Sequence, residues 1–141
     1  MSFIKEKDRQ GIKKRLEEMT GPVKIINFTQ ELECMYCRET RELMEELAEL
    51  SDKLTCQVYN FQLDEEIAKA YRIDKIPATV IEGDMDYGIR YYGIPAGYEF
   101  AALLDTIIEV SKNDSGLAEN IREKLKEIVS PVHIQVFVTP T

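Results

Sequence analysis

No apolar run in this 141-residue chain approaches the roughly 18 residues that a membrane-spanning helix needs. The opening residues, Met1-Ser2-Phe3-Ile4-Lys5-Glu6-Lys7, hold no apolar stretch long enough for a secretory signal. The expected compartment is therefore the cytoplasm. Positive charge is also in short supply: 18 Lys and Arg face 26 Asp and Glu, a formal net charge of −8. That balance argues against nucleic acid and anionic membranes as partners. Three cysteines are too few for a disulfide-stapled scaffold, and an odd number suits purely structural pairing poorly. What remains is an ordinary globular composition, 44% hydrophobic and 31% charged, with length enough for a real core.

The hydrophobic pattern alternates between helical and strand periods. Ile12, Leu16 and Met19 recur at helical spacing, and Gly21-Pro22 stop the helix. Residues 23–29 read as a largely buried strand. A polar loop leads to an amphipathic helix from about Cys37 to Leu50, carrying Leu43, Met44 and Leu47. Residues 54–61 alternate as a second strand, and Asp64 is placed to cap a short helix through Ile67 and Tyr71. Residues 78–81 and 89–92 flank a Gly- and Asp-rich turn and read as a hairpin. Phe100, Leu103, Leu104, Ile107, Ile108 and Val110 form the apolar face of another helix. Written out, the order is α-βαβ-α-ββ-α. The βαβ unit requires a right-handed parallel crossover, and the hairpin adds two antiparallel strands. The fold class is α/β, a four-stranded mixed sheet with helices on both faces.

The tail repeats the opening. Residues 113–116 read as a short polar linker, followed by a helix with Leu117, Ile121, Leu125 and Ile128 on one face, then Pro131 and a strand over 132–138. Shifted back by 109 positions, Ile121, Leu125, Glu127, Pro131, Val132, Ile134 and Phe137 fall on Ile12, Leu16, Glu18, Pro22, Val23, Ile25 and Phe28. Chance would give about one such identity in that span. Residues 1–112 are therefore expected to form one complete unit. Residues 117–141 are expected to be the first helix and strand of a second, truncated copy.

The chemistry is expected at Cys34-Met35-Tyr36-Cys37, between the first strand and its helix. In a cytosolic βαβ context this spacing reads as a dithiol redox site. The amides and dipole of a helix N-terminus favour a thiolate, and two intervening residues let the second sulfur attack a mixed disulfide formed by the first. Cys37, Thr40, Met44 and Leu47 share the buried helix face, whereas Cys34 precedes the first turn. Cys34 is thus the expected nucleophile and Cys37 the resolving thiol. A zinc site would need two further ligands; only Cys56 and His133 remain, on separate strand candidates, so no metal is expected. Cys56 reads as a small buried hydrophobe, and His133 as a solvent-facing strand residue. Pro77, in Lys75-Ile76-Pro77-Ala78-Thr79, stands just before the third strand. There a ladder N–H would normally be wanted, and a cis peptide is tolerated.

These two motifs together resemble the thioredoxin and glutaredoxin superfamily. Within it the chain more closely resembles the protein disulfide oxidoreductases (glutaredoxin-like proteins) of thermophilic archaea and bacteria, which join two such units in tandem. Tyr71-Arg72-Ile73-Asp74, Arg90-Tyr91-Tyr92-Gly93 and Pro95-Ala96-Gly97-Tyr98-Glu99-Phe100 resemble the first unit, and Val136-Phe137-Val138-Thr139-Pro140-Thr141 resembles the lead into the second active site. The resemblance implies a thioredoxin-like fold and a cis Pro77 facing the disulfide. It also implies substrate contacts from Tyr36, Ile76 and Pro77. The implied activity is thiol–disulfide exchange with disulfide-bearing client proteins, recharged by a thioredoxin-reductase-type flavoprotein. No bound cofactor is needed beyond the Cys34–Cys37 dithiol. The abundant Glu, Lys and Arg fit a thermophile. A redox-inactive docking or scaffolding unit with a static disulfide is the alternative. Departures from the family are Asn27 where many thioredoxins carry a buried acid, and Glu31, Glu33 and Glu39 around Cys34, with Arg38 and Arg41 as partial compensation. An unpaired terminal strand should seek an edge, and a dimer through it is expected.

Overall fold

The computed structural model describes residues 2–139. Its elements are α1 (Glu6–Leu16), β1 (Val23–Thr29), α2 (Cys37–Ala48), β2 (Leu54–Asn60), α3 (Glu65–Ala70), β3 (Ala78–Glu82), β4 (Asp86–Tyr92), α4 (Tyr98–Lys112) and α5 (Glu119–Leu125). The four strands form one mixed sheet in the order β2-β1-β3-β4. β1 runs parallel to β2, with Val23 opposite Leu54 and Thr29 opposite Asn60. It runs antiparallel to β3, with Phe28 opposite Ala78. The β3–β4 hairpin closes the far edge.

β1 is buried at every position but Lys24 because both its edges and both its faces are covered. Alternate residues divide it between two cores. Val23 and Ile25 join Leu43, Met44 and Leu47 of α2, Ile81 of β3, Leu16 of α1, and Leu103 and Ile107 of α4. Ile26 and Phe28 face the other way, against Ala78, Val80, and Ala68 and Ile73 in and after α3. Helices therefore cover both faces, as expected. Full burial of a side chain such as Phe28, 0% exposed, is worth about 2–3 kcal/mol.

α1 starts earlier than its apolar spacing indicates, because the segment before it is tied down. The Glu46 carboxylate on α2 accepts the N–H groups of Phe3 (2.7 Å) and Ile4 (3.0 Å), so Ile4 can bury its side chain. The turn after α1 lies against the end of α4, where Thr20 Oγ1 donates to the Ser111 carbonyl at 3.1 Å. A Cβ on Gly21 would meet that same carbonyl oxygen at 2.9 Å, so only glycine fits the approach.

Two local expectations are corrected. Asp64 occupies the N-cap position of α3 but makes no side-chain cap. Its carboxylate instead accepts the Asn60 N–H at 2.8 Å, closing the turn after β2. The strand expected over 132–138 is also absent: residues 131–139 have neither helix nor strand. A strand exists only with a ladder partner, and neither sheet edge pairs with this segment, leaving Ile134, Val136 and Phe137 exposed. His133 is exposed, as expected, but on irregular backbone. Pro140 and Thr141, part of the expected second-unit lead, lie outside the described residues. Among the described residues, no helix is long and apolar enough to cross a membrane.

Candidate active site

Everything singled out in the CxxC and proline motifs gathers at the C-terminal end of β1. From Thr29 the chain loops over Gln30–Glu33, reaches Cys34, and enters α2 at Cys37. The two cysteines are joined by a disulfide with their Cα atoms 5.6 Å apart. Cys37 is 1% exposed, held by the packed face it shares with Thr40, Leu43, Met44 and Leu47. Cys34 is only half-buried. Cys37 thus belongs to the core, and Cys34 to its border with solvent.

Tyr36 turns the loop into the helix. It adopts left-handed backbone (φ 67°) at the N-cap position, and no side chain caps the first amides of α2. Its carbonyl accepts both the N–H of Thr40 (2.9 Å) and the Thr40 hydroxyl (2.7 Å), which fixes the first turn. The Tyr36 ring stays half in solvent, and Leu32 and Met35 are each 77% exposed. Three exposed apolar side chains thus flank the cysteine pair along the chain, a feature not singled out from the sequence.

The proline corner arrives at the same end from the other side. Ala78 pairs with Phe28, and the buried Asn27 amide reaches across to donate to the Ala78 carbonyl at 3.2 Å. The Ile76–Pro77 peptide is cis. The Pro77 carbonyl accepts the Gly93 N–H at 2.9 Å, while the backbone groups of Ile76 make no hydrogen bond among the described residues. Beside them Lys75 pairs with Asp74 at 2.8 Å and lies 4.5 Å over the Tyr92 ring.

The charges around Cys34 are less balanced than the sequence indicates. Arg38 is engaged by Glu42 at 2.9 Å and Arg41 by Glu45 at 3.1 Å, each one turn along α2. The two cations counted as compensation for Glu31, Glu33 and Glu39 thus already have acidic partners. Cys56 lies elsewhere, in mid-β2, packed against the α2-side core. Burial, with Glu45 nearby, pushes its thiol up to about 12. Among the described residues, no group of three or more His, Cys, Asp or Glu could hold a metal ion.

Residues 10–105 match the thioredoxin domain model. The chain belongs to the thioredoxin domain family. It is similar to a protein disulfide oxidoreductase of Aeropyrum pernix, at 29% identity and a TM-score of 0.89, covering 99% of this chain and 62% of that one. It is also similar to an alkyl hydroperoxide reductase component of Staphylococcus epidermidis, 28% identical over 134 residues, or 94% of this chain and 24% of that protein. The N-terminal domain of the corresponding alkyl hydroperoxide reductase component from Enterococcus faecalis shares the fold, at 22% identity and a TM-score of 0.77, over 87% of this chain and 60% of that one. The chain thus spans about a quarter of the length of the curated relatives it matches. In this thioredoxin domain the CxxC pair is Cys34 and Cys37, at disulfide distance.

Proposed function

We propose that the chain catalyses protein thiol–disulfide exchange, with Cys34 as nucleophile and Cys37 as resolving thiol. One observation carries the reading: the disulfide joins Cys34, a half-buried residue, to Cys37, which is 1% exposed. Only the Cys34 side is open to a client.

In the reducing direction, the Cys34 thiolate attacks a client disulfide. A Cys34–client bond forms, and one client thiolate leaves and takes a proton from solvent. Cys37 then gives up its proton and attacks the Cys34 sulfur. The Cys34–Cys37 bond forms, the second client thiolate leaves, and the client has gained two electrons. The dithiol carries those electrons itself. A thioredoxin-reductase-type flavoprotein is the proposed source that restores it, a role supported by the likeness to a hydroperoxide reductase component. Ile76 and Pro77 are the proposed edge for the client backbone, supported by the unengaged Ile76 amide and carbonyl, and Tyr36 is a further proposed client contact, supported by its exposure.

Insulin reduction by dithiothreitol, followed as turbidity, tests the reading. Wild type should accelerate precipitation and Cys34→Ser should not; equal rates would leave a static disulfide in a docking unit. Limiting iodoacetamide on the reduced protein should label Cys34 before Cys37.

We propose further that residues 1–112 form one unit, 113–116 a linker, and the tail from Leu117 the opening of a second unit. Leu16 is 1% exposed in α1, whereas its repeat counterpart Leu125 is 46% exposed, a helix face with its sheet still to meet. Pairing of 132–138 with a second copy predicts a dimer by light scattering; a monomer at all concentrations opposes that pairing.

A further inference from the structure

Negative charge without a cationic partner gathers at the reactive disulfide. Residues 30–45 hold five carboxylates and two guanidiniums. Both guanidiniums are engaged along α2, Arg38 by Glu42 and Arg41 by Glu45. Glu31, Glu33 and Glu39 remain, and among the described residues none of the three makes an ion pair or a side-chain hydrogen bond; Arg38 feels Glu39 only at longer range. Glu31 and Glu33 are exposed and Glu39 is half-buried. The chain itself bounds their distance from the disulfide. Glu33 is joined to Cys34, and Glu31 stands three residues before it, about 11 Å away at most. Cys37 lies 5.6 Å from Cys34 between Cα atoms, and Glu39 follows it in the first turn of α2. All three acids are thus within about one Debye length of the pair at physiological salt. On the proline side Asp74 balances Lys75 at 2.8 Å, and the Arg72 charge acts on Asp86 of the hairpin.

Glu33 is also strained in its place. It holds left-handed backbone at φ 54°, where glycine or asparagine sits more easily. No hydrogen bond or ion pair of its carboxylate within the described chain offsets that strain. A charged side chain kept in a strained position without an internal partner is suited to a partner that arrives. Separate features mark that partner as a polypeptide. The backbone amide and carbonyl of Ile76 are unengaged, as an edge that takes an extended chain requires. Leu32 and Met35 are each 77% exposed beside the disulfide.

We infer that Glu31, Glu33 and Glu39 select the client, favouring disulfides in polypeptide segments flanked by lysine or arginine. The inference rests on the exchange reading above and names its substrate class. Attack by Cys34 brings a thiolate up to the client disulfide, in a field that the three carboxylates make more negative. A client with cationic flanks is drawn into that field and an anionic one is repelled. The acids therefore act on encounter and docking, and the bonds exchanged are the same for every client. Salt screens interactions between exposed charges, so the preference fades as ionic strength rises.

Three synthetic peptides test this, identical in one internal disulfide and differing only in the two residues that flank it: lysine, glutamine or glutamate. Each is mixed with the reduced protein, quenched in acid and scored for reduced peptide by chromatography. Dividing each rate by that of dithiothreitol on the same peptide removes differences in the peptides' own reactivity. At about 10 mM salt the wild type should reduce the lysine peptide about tenfold faster than the glutamate peptide, with glutamine between them. At about 0.5 M salt the gap should narrow to about twofold. Glu31→Gln/Glu33→Gln/Glu39→Gln should bring the three rates within about twofold at low salt. Any change in the Cys34 pKa acts on all three peptides alike and leaves their ratios untouched. If Glu39→Gln disturbs α2, Glu31→Gln/Glu33→Gln should still lower the lysine-to-glutamate ratio to about threefold. A ratio equal in wild type and variants, or one that salt leaves unchanged, would overturn the inference while exchange stands. Failure of the wild type to reduce any of the three would sink the exchange reading and this inference together.

Discussion

Arg90 donates two N–H groups to the carbonyl of Tyr71, at 3.0 and 3.2 Å, from the middle of β4. The same guanidinium meets both carboxylate oxygens of Asp86, at 2.8 and 2.7 Å, and lies 5.7 Å from the Tyr71 ring centre. Tyr71 in turn donates its hydroxyl to Glu82 at 3.0 Å. The end of α3 is thereby fastened to the hairpin just before residues 72–77 turn toward the active site. Arg90→Met should cost about 2 kcal/mol, since charge-assisted and buried carbonyl bonds are lost together. Urea unfolding reads the loss, and a midpoint unchanged from wild type would deny Arg90 this role.

Acid should loosen the same fastening. The Arg90 hydrogen bonds hold the Asp86 carboxyl below its usual value, against the opposing effect of burial. A depressed folded pKa contributes stability that is present above the unfolded value, near 3.9, and lost as pH falls through the folded one. Asp86→Asn should therefore be less stable than wild type at pH 7, with the gap closing below about pH 4. Parallel melting-temperature curves from pH 7 to 2.5 would contradict this.

Gly21→Ala should destabilise the fold by about 1–3 kcal/mol. The added Cβ meets backbone, the Ser111 carbonyl oxygen at 2.9 Å, and backbone yields less readily than a flexible side chain. Gly11, whose Cβ would meet nothing within 4 Å, is the control: Gly11→Ala lies within α1 and should gain up to about 1 kcal/mol.

Cys56 should be nearly inert. With its thiol pushed up to about 12 by burial, its thiolate population at pH 8 falls about a thousandfold below that of an ordinary cysteine near 8.5. In the disulfide form Ellman's reagent should find almost no reactive thiol until denaturant is added, then one per chain. Prompt labelling without denaturant would show that β2 opens far more freely than its packing indicates.

Glu33 stands next to Cys34, and the nearby Arg38 already has an acidic partner. Neutralising it removes a like charge from beside the thiolate, so Glu33→Gln should lower the Cys34 pKa. Thiolate absorbance of the reduced protein against pH checks the direction; an upward shift would mean that Glu33 acts through a hydrogen bond instead.

Periodicity reveals the sheet because burial imposes it. β1 reads correctly from Val23 to Thr29, as each of its sides is covered, and the Cys37 face of α2 follows from spacing alone. Asp64 misleads because capping and turn closure use the same carboxylate, and the choice depends on where Asn60 lies. The strand over 132–138 misleads for a different reason: an alternating pattern records a preference, while a ladder requires a neighbour. At the site, the cysteines and Pro77 are visible as motifs. The Asn27 amide bond to the Ala78 carbonyl is not, since nothing in the chain order sets β1 beside β3 until the antiparallel register is known.

β1, paired along both edges, should also hold the slowest-exchanging amides in the molecule, because opening it means opening the whole sheet. The reactive loop is therefore anchored at the end of the most protected segment rather than on a fraying margin. Its chemistry can cycle while hydrogen exchange in the strand beneath stays at the global limit. The exposed residues 131–138, in neither helix nor strand, should lie at the opposite extreme, with amides that exchange quickly.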